Sequence, residues 1–155
     1  DTQDVAAYLD EAVKFVNERV WGTLSTMMVV HPETMKDPAG RAAVERAIRE
    51  LRYGAVVVNT WAGAVFGLGV APRGAHPTST LQDIQSGKGW VHNTFLLDHQ
   101  AIEKFVLRAP VKASPIHPWF PAHRTANVLA KRLIDFEMGP SWLKVPGIAA
   151  AALRG

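Results

Sequence analysis

The side chains that most often carry chemistry are sparse in these 155 residues. Cysteine is absent, so neither a disulfide, a thiolate metal site nor a cysteine nucleophile can be built from them. The six histidines, His31, His76, His92, His99, His117 and His123, show no H-E-x-x-H spacing and no shared helical face. No metal centre is expected from them. Asp83 and His92 are the types of an acid–base pair, but nothing in their spacing favours that over turn hydrogen bonding by Asp83 and solvation of His92. Gln85-Ser86-Gly87-Lys88-Gly89 resembles a phosphate-cradling turn. A tight turn whose glycines take positive φ is the simpler expectation. Gly67-Leu68-Gly69 follows a loop and does not open a helix, so it fails the context a dinucleotide fingerprint needs. Trp61 and Phe66 remain. They are aromatic rings on a glycine-rich loop, able either to wall an apolar ligand or simply to pack that loop.

The elements that must position these residues are legible from periodicity. Val5, Leu9, Val13, Val16 and Val20 repeat at helical spacing. Asp1 or Thr2 is a candidate cap, Asp4 adds charge to the first turn, and Gly22 lies just past the end. Leu24 to Val30 is a short apolar run, read as a buried strand that His31-Pro32 ends. Residues 38–52 form the clearest helix, with Val44, Ala47, Ile48 and Leu51 on one face and Pro38 in the first turn. Arg49 and Arg52 complement the dipole at its end, and Gly54 supplies a stop. Ala55 to Asn59 is a second buried strand. Two continuously apolar strands around an amphipathic helix imply a parallel pair with a crossover, an α/β layer too small to cover both of its own faces.

Residues 60–90 hold six glycines and two prolines, and turns should dominate there. Ile102 to Arg108 reads as a half-exposed strand at an edge. Pro110, Pro115, Pro118 and Pro121 make an extended connection. Thr125 to Met138 is a helix with Thr125 as its cap and Gly139-Pro140 as its stop. Residues 141–155 should order only if docked. Trp119-Phe120 and Trp142-Leu143 look like aromatic anchors on connecting segments. Two parts are therefore expected, residues 1–110 and 111–155.

Charge is divided unevenly. Residues 1–99 carry nine Lys/Arg against eleven Asp/Glu, and residues 100–155 carry eight against three. The basic residues are scattered and no nucleic-acid motif accompanies them, so a solvated surface is expected and nucleic acid is not. No apolar run reaches the ~18 residues of a membrane span, and the acidic, polar start is unlike a secretory leader. An intracellular setting, cytoplasmic by default and with an organelle left open, is the expectation.

The order of the pieces resembles the closing part of the catalytic domain of the aldehyde dehydrogenase superfamily. The pattern A-x-x-x-x-N before a Gly-Leu turn and a strand is matched by Ala12 to Asn17 and Trp21-Gly22-Thr23-Leu24. G-x-V-x-V-N is matched by Gly54-Ala55-Val56-Val57-Val58-Asn59, and the aromatic-containing loop by residues 61–66. The P-x-G turn resembles Pro72-Arg73-Gly74, and the S-G-x-G turn Ser86-Gly87-Lys88-Gly89. K-x-V-x-x-x-P is matched by Lys104 to Pro110. The stretch 75–85 is longer than usual, Trp90-Val91-His92-Asn93 replaces an Arg-Glu-x-Gly type, and the tail past Pro110 has no counterpart in shorter members. A divergent branch is implied.

The resemblance implies an α/β fold belonging to a parallel-sheet catalytic domain, with an edge strand and a C-terminal helical extension. It implies oxidation of an aldehyde to an acid with NAD or NADP, through a thiolate, a general base and a cofactor domain supplied by an N-terminal portion outside these residues. Trp61 and Phe66 would line the aldehyde tunnel. Asn59 would stand beside them, more as a hydrogen-bonding support of the loop than as a catalyst. Lys104, Val106 and Arg108 would lie on a strand that joins subunits of a homo-oligomer or larger assembly. A catalytically inactive, dehydrogenase-derived structural subunit fits the missing cysteine equally well. A stand-alone small-ligand module rests only on the glycine-rich loop.

Overall fold

The computed structural model describes residues 4–72, 74–90, 92–98, 101–111, 116–118, 120 and 122–154. The chain divides into two compact units, Asp1–Val111 and Lys112–Gly155.

The first unit is α/β. Helix α1 (Val5–Arg19) precedes strand β1 (Ser25–Met28); α2 (Pro32–Lys36) and α3 (Pro38–Glu50) cross over to β2 (Ala55–Val58); α4 (Ala64–Gly67) and a long irregular segment lead to β3 (Phe105–Arg108). The sheet order is β1-β2-β3 and both pairings are parallel, with Thr26 opposite Val56 and Val56 opposite Val106. The predicted parallel pair and its crossover helix are present, and a third strand extends them.

All four residues of β2 are buried, Val56 and Val57 completely. Side chains alternate across a strand. Val56 and Val58 therefore join Val13, Val44, Ile48 and Leu51 beneath α1 and α3. Ala55 and Val57 meet Val65, Ala71, Phe105 and Leu107 on the opposite face. The expectation that so few elements would leave a face bare thus fails for β2, because the loop after it folds back over the second face. It holds better for β1, where burial alternates and Met27 and the following Val29 stay exposed.

Several local readings are corrected. Asp4 is the N-cap of α1, accepting from the amides of Ala6 and Ala7, the role expected of Asp1 or Thr2, which lie outside the described residues. Gly22 does take a positive φ of 112°, but α1 has already ended at Arg19, and the glycine turns the chain toward β1. The run read as a strand over 24–30 pairs only over Ser25–Met28, and that read over 102–108 only over Phe105–Arg108. Helix α2 was not anticipated. His31 caps it through Nδ1, and Pro32 starts it, so the dipeptide that ends the strand also begins a helix. Asp37 then caps α3 by accepting from Gly40.

Gly54 is not the stop of α3, which ends at Glu50 with Leu51 as its C-cap. Its lack of a side chain serves another purpose: a Cβ there would sit 1.7 Å from the carbonyl oxygen of Gly74. The end of α3 is instead closed by side chains from afar. The Asn17 amide donates to the Glu50 carbonyl and accepts from the Arg52 amide, at 2.8 and 2.9 Å. The Lys104 ammonium donates to the carbonyls of Arg49 and Leu51, both at 2.6 Å. A cation on the last carbonyls also complements the helix dipole.

The second unit is a helical hairpin. Helix α5 (Ala126–Met138) is followed by a 3₁₀ turn (Trp142–Lys144) and α6 (Val145–Ala152). Residues 141–152 are ordered as helix because α6 docks on α5, burying Leu129 and Ala151. Thr125 precedes α5 without a side-chain capping bond; its hydroxyl donates instead to the Ala151 carbonyl at 2.6 Å. Trp142 and Leu143 are 88% and 91% exposed. Trp119, Pro115 and Pro121 of the predicted anchor and connection lie outside the described residues. Among the described residues, no helix is long and apolar enough to cross a membrane.

Arg108 grips Glu45 of α3 through two parallel bonds of 2.8 Å, which hold the Glu45 carboxyl below its ordinary value of 4.5 against partial desolvation. A lowered folded-state value contributes stability that is present above the unfolded value and lost as pH falls through the folded one. Both side chains are over a third exposed, so screening keeps the effect near ~0.5 kcal/mol. Glu45→Gln is therefore expected to lower stability by about that amount at neutral pH. Urea unfolding of the intact protein should show the two forms converging as pH drops below 4.5.

Candidate functional site

In parallel sheets ligands gather beyond the carboxyl ends of the strands. The chain leaves that end after each of the three parallel strands, and Asn59 fastens together the segments that follow β1 and β2. Asn59 has a φ of 61°, a left-handed conformation that asparagine tolerates better than most residues. Its amide donates to the Met28 carbonyl at 2.9 Å, continuing the ladder, while its side-chain oxygen accepts from the buried Val30 amide at 2.7 Å. The Asn59 side chain thus bonds the backbone that follows β1, not that of the aromatic loop it leads into.

The chain beyond Asn59 turns through Trp61–Gly63 into α4. The Ala64 amide donates to the Trp61 carbonyl at 2.9 Å and that of Phe66 to Gly63 at 3.0 Å. The Trp61 ring folds over Gly63 so closely that a Cβ there would meet it at 2.3 Å. Val65 is buried against β2, which anchors α4, while Trp61 and Phe66 remain 47% and 59% exposed. The two predicted tunnel residues thus share one pinned loop and both face outward in part.

His92 was not anticipated beside them. It has a φ of 61°, and its ring meets Phe66 edge-on, centroids 5.4 Å apart and planes at 87°. Asp83, its possible acid–base partner, instead accepts from Gln85 Nε2 at 2.7 Å in a local turn. No spacing signal could have paired His92 with Phe66, since the contact arises only through folding.

The other glycine-rich turns serve the opposite end of the sheet. Ser86 Oγ accepts from the Thr23 amide at 2.8 Å and Gln85 Oε1 from the Gly22 amide at 2.9 Å, just before β1. Gly87 and Gly89 take positive φ, as a tight turn requires. Gly67 ends α4 and Gly69 lies in a turn, so neither opens a helix after a strand. That glycine pair therefore lacks the setting of a dinucleotide fingerprint. Among the described residues, no three His, Cys, Asp or Glu gather as a metal set.

A second cluster lies at an open cleft of about 840 Å³ that includes Lys88 and Trp90. Buried His76 has Nδ1 2.9 Å from the Thr78 hydroxyl and Nε2 3.3 Å from Glu103 Oε1, the latter without hydrogen-bond alignment. Hydroxyl, imidazole and carboxylate in a row suggest a proton relay, but Lys104 also holds Glu103 at 2.8 Å. That ammonium, aided by His76 and opposed by partial burial, keeps the Glu103 carboxyl below its ordinary value. Its charge is committed to structure, fastening the 76–79 turn to the start of β3.

The three edge-strand residues turn their side chains toward the face that α3 covers, Arg108 remaining partly exposed. Lys104 and Arg108 bind α3 and Val106 packs on the core. Their backbone differs. The amides of Phe105 and Ala109 donate to β2, so by alternation those of Val106 and Arg108 point to the outer edge.

A scan against protein-family models, a search of curated proteins and a search of solved structures each return no match for this chain.

Asn59→Ala is expected to destabilise the protein by about 2 kcal/mol, since it strands the Val30 amide and places alanine at positive φ. Asn59→Asp retains both the acceptor and the tolerance of that conformation, so its urea midpoint should remain near wild type.

Proposed function

We propose that this chain is the closing C-terminal part of the catalytic domain of an NAD(P)-dependent aldehyde dehydrogenase, where it supplies substrate-tunnel wall and an oligomerisation strand. The observation that carries the reading is the loop at the carboxyl end of β2, pinned by Asn59 and holding Trp61 and Phe66 partly uncovered. Partly exposed rings on a loop held by its backbone offer an apolar surface for the chain of an aldehyde. The ordered motifs from Ala12 to Pro110 support the family, and the outer edge of β3, at which no further strand pairs among the described residues, supports strand-to-strand assembly. In this reading the thiolate nucleophile, the general base and the nicotinamide site belong to an N-terminal portion outside these residues.

The test uses the complete enzyme. It should oxidise aldehydes with NAD or NADP, and Trp61→Ala should shift its chain-length preference; unchanged kinetics across a substrate series would remove Trp61 from the tunnel. A complete protein that assembles normally but oxidises no aldehyde would favour the inactive structural subunit. Val106→Pro deletes an outward amide while sparing the ladder to β2, so light scattering should report smaller assemblies. An unchanged assembly size would count against the edge role.

A further inference from the structure

A cleft of about 320 Å³ opens at the amino end of the sheet, opposite the end that carries Asn59. Three segments wall it: the last turn of α1 with the turn after it, residues 52 and 53 before β2, and the turn that carries Asp83. Hydrogen bonds hold these segments together. The Arg52 amide donates to Asn17 at 2.9 Å, and the amides of Gly22 and Thr23 donate to Gln85 and Ser86. The side chains on the walls carry polarity that the fold leaves unused. Neither Arg19 nor Arg52 has a carboxylate partner among the described residues. Asn17 and Lys104 already close the end of α3, so Arg52 is not needed there. Glu18 likewise has no partner among the described residues, and Asp83 gives one oxygen to Gln85. Tyr53 stands out most. It is only 7% exposed and belongs to the core beneath α1 and α3. Yet its hydroxyl makes no hydrogen bond among the described residues and is not sealed from water, and the cleft is what its ring borders. A buried phenol ordinarily finds a partner. Burial holds this one above its ordinary value, so it remains a donor at neutral pH. Trp21, 72% exposed, adds an indole face.

We propose that this cleft binds a free α-amino acid with an apolar side chain, its carboxylate taken by Arg19, Arg52 and the Tyr53 hydroxyl and its ammonium by Glu18 and Asp83. The site goes beyond the aldehyde dehydrogenase reading and does not depend on it. Two cations and two anions on one cleft match a molecule that is neutral overall and carries both signs. A plain anion or a plain cation would meet two like charges along with two opposite ones, which disfavours it. Guanidinium groups bind carboxylates through parallel N–H donors, and the phenol supplies a further one. The apolar side chain would lie against the indole of Trp21.

The test is calorimetric titration of the complete protein with four probes: L-phenylalanine, phenylpropionate, which lacks the ammonium, phenylethylamine, which lacks the carboxylate, and inorganic phosphate. L-Phenylalanine should saturate one site, and each of the other three should bind at least about tenfold more weakly. Arg52→Gln should weaken L-phenylalanine about tenfold. Tyr53→Phe, which keeps the ring in the core and removes only the hydroxyl, should weaken it about threefold to tenfold. Glu18→Gln should narrow the gap between L-phenylalanine and phenylpropionate. Arg52 and Glu18 are exposed, so urea midpoints of their variants should stay near wild type, which separates lost binding from a lost fold. Absence of saturable L-phenylalanine binding by the folded protein would overturn the site. So would an affinity that neither Arg52→Gln nor Tyr53→Phe changes. Phenylpropionate or phosphate binding as tightly as L-phenylalanine would overturn the amino-acid assignment by revealing a plain anion site.

Discussion

Burial of β2 on both faces is the constraint from which the rest of the first unit follows. Four residues, Ala55 to Val58, pair with a parallel strand on each side and pack under helices on one face and under their own following loop on the other. A strand this short has little ladder of its own, so its place depends on side-chain fit above and below. Ala55 and Val57 are small enough for α4 and Ala71 to lie directly over them. The carbonyl of Gly74 approaches Gly54 so closely that no side chain fits between. The entry and exit of β2 are thereby fixed, and with them the points from which the two sets of loops depart.

Those two ends behave differently. At the amino end the loops are fastened by polar bonds spanning more than sixty residues: Gln85 to Gly22 and Ser86 to Thr23. At the carboxyl end one polar anchor, Asn59, is followed by rings that are only partly covered. Helix ends are likewise closed by distant groups. Asn17 and Lys104 together take the last carbonyls of α3, the work that a local glycine often does. Polar side chains reaching across the fold replace local stop signals, which is why several such signals misled.

What was legible in the sequence was whatever depends on short-range pattern. The amphipathic stripe of Val44, Ala47, Ile48 and Leu51 located α3 to within two residues, and the valine run located β2. Helix α2 was missed because five residues are too few to display a period. Thr125 was misjudged because its hydroxyl is drawn to the carbonyl end of α6, a partner that only tertiary folding supplies. At the site, Trp61 and Phe66 stood out because bulky rings are conspicuous in a glycine-rich stretch. His92 did not, since its partner lies far along the chain and its left-handed backbone leaves no mark in composition.

The partial exposure of Trp61 and Phe66 carries a further consequence. Fully burying a side chain such as phenylalanine stabilises a fold by roughly 1.5–3 kcal/mol, and this loop realises only part of that. Its position must then come from elsewhere: from Val65 beneath, from Asn59 at the strand end, and from the glycine that lets the indole approach the backbone closely.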